Sequence, residues 1–180
     1  ETHAQRYYAS WSSHDNVRDP KSRMRIGFVS SDLGHHPVGF FARSLLDNLQ
    51  KHEIESVVYS DRIGNDKITT QIRATVDTWN DTRGLSDDIL AQKILNDQID
   101  ILFDLSGHTA GNRILLFARK PAPIQISWAG YVGTTGLSAI DYVLSDRYST
   151  LENEEKYYSE TIIRMPDGWL CYAPPDTAPD

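Results

Sequence analysis

The sequence contains almost no cysteine, has no excess of basic residues and has no long apolar run. Its one cysteine, Cys171, cannot form an internal disulfide or supply a zinc framework, and it favours a reducing, cytoplasmic location. Because 25 acidic residues outnumber 18 basic ones, the net charge is -7, and neither nucleic acid nor an anionic membrane is an expected partner. The longest uncharged stretch, 121–140, contains Pro, Gly, Ser, Thr and Gln, so it is not expected to cross a membrane.

What remains is the composition of a folded domain. Of 180 residues, 39% are hydrophobic and 24% are charged, which is typical of one globular domain and argues against a disordered chain. The missing initiator Met and the Pro- and Asp-rich end indicate a piece of a longer protein. Aromatic residues at helical spacing predict an amphipathic helix over 1–14. We therefore expect an N-terminal helix and linker over 1–22, a folded domain over 23–170 and a tail over 171–180.

Hydrophobic periodicity predicts strands that alternate with helices along the folded domain. The predicted strands are 25–30, 56–59, 99–105, 124–128, 142–144 and 161–165, and the predicted helices are 38–51, 69–76, a segment that begins after Ser86, and 112–119. The strand at 99–105 is mostly apolar, as a strand buried on both faces of a parallel sheet is. Strands separated by helices imply right-handed crossovers, and hence an α/β fold with a Rossmann-like, doubly wound, mostly parallel sheet.

Ligands of open parallel sheets bind beyond the carboxyl ends of the strands, and three loops there have unusual residues. The first, 30–37, contains two hydroxyls, the Asp32 carboxylate and two neighbouring imidazoles. A helix N-terminus disfavours imidazolium, so a histidine at this helix entrance tends to stay neutral and to accept a proton, as a general base must. The second loop, 106–113, has glycines that allow close approach of a ligand and Arg113, which is suited to an anion.

The third loop, 129–136, contains three glycines and two threonines that offer free N–H and O–H donors, and it resembles no Walker or dinucleotide fingerprint. Simpler interpretations exist for all three loops, and for the third it is that glycine-rich connections are common. Asp32 has the character of a helix cap, His35 of a solvated side chain and His108 of a turn residue. A metal site is disfavoured, because neighbouring side chains of one loop rarely converge on one ion. The remaining aromatic and acidic features are interpreted as core or interface residues (Trp128, Tyr131, Trp169) and as a solvated face (152–155).

The three loops together form an ordered set of motifs. Segments 25–37, 104–113 and 120–136, followed by 140–142, resemble the O-GlcNAc transferase/SPINDLY glycosyltransferase family, and the similarity extends from residue 25 to about residue 166. The resemblance implies one half of a GT-B glycosyltransferase, namely the N-terminal of two Rossmann-like catalytic domains. It also implies a preceding TPR superhelix and a C-terminal domain that holds most of the nucleotide sugar. The isolated chain is therefore expected to be inactive.

The resemblance also implies a reaction, which is inverting transfer of GlcNAc from UDP-GlcNAc to Ser or Thr hydroxyls of protein acceptors, with no metal and no cofactor. His36 matches the family's Gly-x-His-Pro histidine, and Asp32 matches the carboxylate four residues earlier. His3, with Arg6, is similar to a third catalytic candidate of the family. The substrate-binding candidates are His35, His108, Thr109, Arg113, Gly130, Tyr131, Gly133, Thr134 and Thr135.

Two alternatives stay open at this point. At His108 the animal enzymes have Tyr, whereas the plant SPINDLY branch has His and uses GDP-fucose, so the resemblance leaves the donor sugar undecided. The second alternative is a non-catalytic protein-binding module with a glycosyltransferase-like fold.

Overall fold

The computed structural model describes residues 13–16 and 22–174. In this part of the chain, seven strands form one wholly parallel sheet in the order β3-β2-β1-β4-β5-β6-β7. The strands are β1 (Met24–Ser30), β2 (Ile54–Ser60), β3 (Thr78–Asp81), β4 (Ile101–Asp104), β5 (Ile124–Ser127), β6 (Tyr142–Asp146) and β7 (Thr161–Met165). The helices are α1 (Pro37–Leu49), α2 (Lys67–Thr75), α3 (Asp87–Asn96) and α4 (Ile114–Ala118), and a 3-10 helix covers Glu152–Tyr157.

Helices cover both faces of the sheet. Phe28 of β1 packs in a core that includes Leu46 of α1. Val29, the next residue, packs in a second core that includes Ile94 of α3. Consecutive strand residues point to opposite faces, so both faces of β1 are buried, as in a doubly wound sheet. The predicted fold class is therefore confirmed.

The helix starts follow from local capping. The Ser86 side chain accepts a hydrogen bond from the Ile89 N–H at 3.3 Å, and two acidic residues in the first turn complement the dipole of α3. Asp66 caps α2 in the same way, through the Thr69 N–H at 2.9 Å. The helix predicted over 69–76 is thus present, although its sequence shows few apolar positions.

Two elements, β3 and the 3-10 helix, are absent from the sequence prediction. Strand β3 was not predicted, because it has only four residues and includes Asn80 and Asp81, which are residue types that strands disfavour. Its pairing with β2 at the sheet edge provides the stabilisation that its own sequence lacks. The acidic segment 152–155 lies in the 3-10 helix, whose residues are largely exposed, in agreement with its interpretation as a solvated face.

The predicted flanking segments contact the domain at several points. Asn16 donates hydrogen bonds to the carbonyls of Gln98 and Ile99, at 3.0 and 3.1 Å. In the predicted tail, the Tyr172 ring packs edge-on against Phe41 of α1, with 6.2 Å between ring centroids. Most of the helix predicted over 1–14 lies outside the described residues. Among the described residues, no helix is long and apolar enough to cross a membrane.

The aromatic residues divide into two groups. Trp128 is 3% exposed, and its indole N–H donates to the Trp169 carbonyl at 2.6 Å, so its interpretation as a core residue is confirmed. Trp169 itself is half-buried. Tyr131 is 38% exposed and is therefore not a core residue. Its position in the third loop places it at the carboxyl edge of the sheet.

Candidate functional site

The three predicted loops meet at one edge of the sheet. The strand order reverses between β1 and β4, and the loops that follow these strands flank the resulting crevice. A Cβ atom on Gly111 of the second loop would lie only 2.7 Å from the Ser31 hydroxyl of the first. A Cβ atom on Gly130 of the third loop would overlap the backbone of Leu105. A cavity of about 610 Å³ opens beside the first two loops and is lined by Ser31, Ile63 and other residues.

His36 is the N-cap of α1. Its backbone is extended, Pro37 follows at the first helical position, and its Nδ1 atom accepts a hydrogen bond from the Val38 N–H at 3.3 Å. A backbone N–H can only donate, so Nδ1 must be unprotonated, and the proton of the neutral ring is on Nε2. The exposed His36 ring therefore presents an N–H donor toward solvent. The helix cap is His36 rather than Asp32, so the interpretation of Asp32 as a cap is wrong.

Asp32 has a carboxylate that is available to a ligand. Its backbone N–H donates to the Ser30 hydroxyl at 2.9 Å, and its carbonyl accepts from the Gly34 N–H at 2.8 Å, so a tight turn fixes its position. Within the part of the chain that the structure describes, the carboxylate makes no hydrogen bond or ion pair. The residue is half-buried. A carboxylate placed in this way is a candidate acceptor for a proton.

Asp66 anchors the loop that contains the two histidines. Its carboxylate accepts the His35 N–H at 2.8 Å and the Arg62 guanidinium at 2.5 Å, in addition to capping α2. Desolvation raises the pKa of Asp66, but the N–H groups of Thr69 and His35 and the Arg62 charge outweigh it and hold that pKa well below its ordinary value. The His35 ring is exposed and packs edge-on against Phe40, with 5.5 Å between ring centroids.

Acid is expected to destabilise the fold partly through Asp66. Because the pKa of this carboxyl is lower in the folded state than its ordinary value of about 3.9, the unfolded chain binds the proton more readily. The stabilisation is thus complete above about pH 5 and is lost as the pH falls below about 4. Asp66→Asn should lower the free energy of unfolding at pH 7 and have a smaller effect near pH 2.

Urea unfolding at several pH values measures this difference. The control is Asp47→Asn, which changes an exposed carboxylate on α1 and should follow the pH dependence of the wild type. A pH dependence of Asp66→Asn that runs parallel to the wild type would contradict the prediction.

The second and third loops are joined through His108. Its Nε2 atom lies 2.9 Å from the Thr135 carbonyl oxygen, which can only accept, so the ring donates and its Nδ1 carries the lone pair. The ring also packs edge-on against Tyr131, with 5.3 Å between centroids. The Thr109 hydroxyl donates to the Ser106 carbonyl at 2.8 Å and thereby closes the turn of the second loop. His108 therefore links loops in addition to its predicted role in substrate binding.

A buried carboxylate holds the beginning of the second loop. Asp104 is 1% exposed and accepts the backbone N–H groups of Ser106 and Gly107, both at 3.0 Å. Burial raises the pKa of Asp104, although these two N–H groups oppose the shift. Asp104 thus orders the backbone that leads to His108.

The guanidinium of Arg113 donates its hydrogen bonds to other residues of the protein. Its guanidinium donates to both oxygens of Asp61, at 2.5 and 2.9 Å, and to Asp87 at 2.8 Å. Its remaining donors reach the carbonyls of Leu85 and Thr82. The hydrogen bonds with Asp61 and Asp87 outweigh desolvation and raise the pKa of Arg113. The expectation that Arg113 is free to hold an anion is therefore wrong.

Removal of this guanidinium is expected to cost much stability. Arg113→Met would leave Asp61 and Asp87 as partly buried charges without their cation, and such losses cost about 3–5 kcal/mol. The matched control is Arg73→Met, which breaks the ion pair between Arg73 and Asp81. The Arg73 side chain is 43% exposed and the Asp81 side chain is 62% exposed. That control should cost about 1 kcal/mol or less. Urea unfolding measures both values, and equal losses in the two variants would contradict the prediction.

The third loop is held by an acid that the sequence analysis missed. Glu160 accepts the Thr134 hydroxyl and the Thr135 N–H, both at 2.7 Å, and also the Thr135 hydroxyl. The expectation of free donors is therefore wrong for both threonines. Glu160 differs from an ordinary surface glutamate only in being buried, with 6% of the residue exposed. No local sequence motif indicates this burial. The assignment of Gly130, Tyr131 and Gly133 to substrate binding stays a prediction.

Two further predictions concern a catalytic role for His3 and a metal site. His3 and Arg6 lie outside the described residues, so their catalytic assignment stays a prediction. Among the residues that the structure describes, no group of three or more His, Cys, Asp or Glu side chains is placed to hold a metal ion.

The conserved-sequence profile of glycosyl transferase family 41 matches residues 3–172, which is most of the sequence. The chain belongs to glycosyl transferase family 41. The resemblance predicted from the three loop motifs is therefore confirmed, and the parallel sheet described above is the framework on which this family-41 sequence presents those loops.

Plant proteins are among the relatives of this family-41 chain. It is 35% identical to a probable UDP-N-acetylglucosamine–peptide N-acetylglucosaminyltransferase SPINDLY of Petunia hybrida, over 97% of this chain and 19% of that protein. It is also 35% identical to the similarly named SEC protein of Arabidopsis thaliana, over 83% of this chain and 15% of that protein. The chain thus spans about a fifth of the length of the SPINDLY relatives it matches.

A solved structure supports the same assignment of the family-41 chain. A mutant (K341M) of the Thermobaculum terrenum O-GlcNAc transferase superposes with a TM-score of 0.84 and 37% sequence identity. The match covers 89% of this chain and 31% of that chain. The likeness therefore extends to the three-dimensional arrangement of the sheet and helices.

Proposed function

We propose that this chain is the acceptor-side part of the catalytic region of an inverting protein O-glycosyltransferase that moves GlcNAc from UDP-GlcNAc to Ser or Thr hydroxyls. Membership of glycosyl transferase family 41 supports the reaction class. The observation that carries the proposal is the first loop, in which a carboxylate that has no partner among the described residues and an imidazole N–H donor lie at the ligand-binding edge of the sheet.

The chemistry needs a proton acceptor near the attacking hydroxyl. A Ser or Thr hydroxyl is a weak nucleophile, so a base helps as the new bond from oxygen to the anomeric carbon forms and the bond to phosphate breaks. Asp32 is the better base, because Nε2 of His36 already carries a proton while Nδ1 caps α1. In this proposal Asp32 takes the hydroxyl proton, and His36 donates a hydrogen bond to an oxygen of the reacting groups.

The nucleotide sugar acts as a substrate, and the proposal requires no metal or cofactor. A second domain provides most of the nucleotide contacts, so the described domain alone is proposed to transfer no sugar. The preceding TPR array and the cytoplasmic location stay predictions.

A second candidate donor is GDP-fucose. His108 favours it, since a histidine at this position characterises the SPINDLY branch that the sequence resembles. The ring lies in the candidate site, bonded to the third loop through the Thr135 carbonyl. The printed names of the SPINDLY relatives refer to UDP-N-acetylglucosamine, so UDP-GlcNAc is kept as the first candidate.

Sugar transfer by the full-length protein tests both candidates. The protein is incubated with UDP-GlcNAc or GDP-fucose, each labelled in the sugar, and with a panel of Ser- and Thr-containing peptides. Label in peptide from UDP-GlcNAc supports the first candidate, and label from GDP-fucose alone supports the second. A protein that binds peptides but neither transfers nor hydrolyses either donor would contradict both and would indicate a non-catalytic binding module.

A further inference from the structure

We propose that Glu160 is a positioning residue, which fixes the third loop at the ligand-binding edge of the sheet and, through Thr135, the ring of His108. The inference rests on the proposed function, because it assigns Glu160 a role in sugar transfer. Glu160 directly precedes β7, whereas the loop that it holds follows β5, so two separate segments are joined by one side chain.

The Glu160 carboxylate uses both oxygens on the loop. Oε1 accepts the N–H of Thr135 at 2.7 Å and also the Thr135 hydroxyl, and Oε2 accepts the Thr134 hydroxyl at 2.7 Å. Thr135 is 3% exposed and Glu160 is 6% exposed, so water competes little for these bonds. Hydrogen bonds to an ionised acceptor are roughly twice as strong as neutral ones. Glu160 thus restrains a segment whose glycines would otherwise leave it mobile.

The restraint continues to the second loop. The Thr135 carbonyl, which belongs to the residue that Glu160 holds, accepts the His108 Nε2 proton at 2.9 Å. The His108 ring in turn packs edge-on against Tyr131 at the exposed end of the third loop. Movement of Thr135 would therefore displace both rings. Both lie at the carboxyl edge of the sheet, where a substrate of this fold binds.

The site requires a carboxylate in particular. The Thr134 hydroxyl oxygen accepts the N–H groups of Gly136 at 3.0 Å and Ser159 at 3.2 Å, so its own proton is free to donate to Glu160. In Glu160→Gln, an amide oxygen that keeps the Thr135 bonds places the amide NH₂ against the Thr134 hydroxyl. The Thr134 proton must then turn away from residue 160, toward the Ser159 hydroxyl at 3.1 Å, or the loop must shift, and in both cases the hydrogen bond from Thr134 to the carboxylate is lost.

Kinetics of the full-length protein test this role. Glu160→Gln should lower kcat roughly 10- to 100-fold, because small displacements of substrate-positioning groups have effects of this size. The KM for the nucleotide sugar should change little. Thr135→Val, which removes one of the same hydrogen bonds, should lower kcat in the same direction. The loss of kcat in the double variant should be far smaller than the product of the two single losses, because both changes break the Glu160–Thr135 connection and only Thr135→Val also removes the acceptor of the Leu137 N–H.

A structural control separates positioning from stability. Asp77 also accepts several hydrogen bonds, from the Ser56 N–H and hydroxyl and from Arg23. It directly precedes β3, so it lies at the amino ends of the strands, away from the ligand-binding edge. Asp77→Asn should lower the thermal midpoint and leave kcat unchanged at temperatures where the protein is folded. Hydrogen exchange of the peptide backbone over 130–137 should become faster in Glu160→Gln and not in Asp77→Asn.

Three results would overturn the inference. The first is an active wild type with unchanged kcat in Glu160→Gln. The second is a loss of kcat in Glu160→Gln that is only as large as its loss of folded protein. If Glu160→Gln does not fold, unchanged kcat in Thr135→Val is the third. A wild type that transfers no sugar from either donor overturns the proposed function, and the inference with it, so the two failures are distinguishable.

Discussion

Replacement of His36 by Asn in the full-length protein is expected to reduce sugar transfer by about 100-fold or more and to leave the fold intact, since loss of one preorganised donor costs about 10²–10³ in kcat. The Asn side-chain oxygen takes the place of Nδ1 as acceptor of the Val38 N–H, and Asn is among the best N-cap residues. It has no atom in the place of Nε2. The variant therefore keeps the cap and loses only the exposed donor.

A second variant, His36→Gln, distinguishes a role of His36 as a hydrogen-bond donor from a role as the general base. Gln extends far enough to place an amide N–H near the position of Nε2, and an amide does not accept a proton from a substrate. If His36 acts as a donor, His36→Gln retains more activity than His36→Asn, even though loss of the cap lowers the free energy of unfolding by about 1 kcal/mol. If His36 is the base, both variants are equally inactive. Full activity of His36→Asn would remove His36 from the catalytic machinery altogether.

The fold was predictable where local patterns and packing agree. Strand β1 and helix α1 have clear apolar patterns, and the parallel sheet follows from their alternation with further strands and helices. Strand β3 was not predictable in this way. Its residues form a strand because β2 offers an open edge, and that edge exists only after the chain has folded.

The candidate site was predictable as a set of loops and not as a set of contacts. The rule that ligands bind at the carboxyl ends of parallel strands brought the three loops to one edge without any knowledge of side chains. The partners of those loops come from far along the chain. Arg113 pairs with Asp61, 52 residues away, and Thr135 with Glu160, 25 residues away. Such pairings decide which polar groups remain available to a ligand, and no local sequence motif indicates them.

Asp32 is the residue whose substitution most directly tests the assignment of the base. Asp32→Asn in the full-length protein should lower kcat by about 10²–10⁴-fold, the range typical of a lost general base. The acceptor KM should change little, because the amide oxygen still accepts a hydrogen bond from the acceptor hydroxyl. Since the carboxylate has no partner among the described residues, the free energy of unfolding should change by no more than about 0.5 kcal/mol.

The matched control for Asp32→Asn is Asp167→Asn, which changes an exposed acid after β7 and should leave transfer unaffected. Steady-state kinetics and urea unfolding of both variants provide the comparison. A loss of less than about tenfold in kcat for Asp32→Asn, below the range of general-base catalysis, would exclude Asp32 as the base. If His36→Gln is also inactive, that result would assign the role of general base to His36. It would then require the proton of the ring to move to Nδ1 and the Val38 cap to open before the hydroxyl attacks.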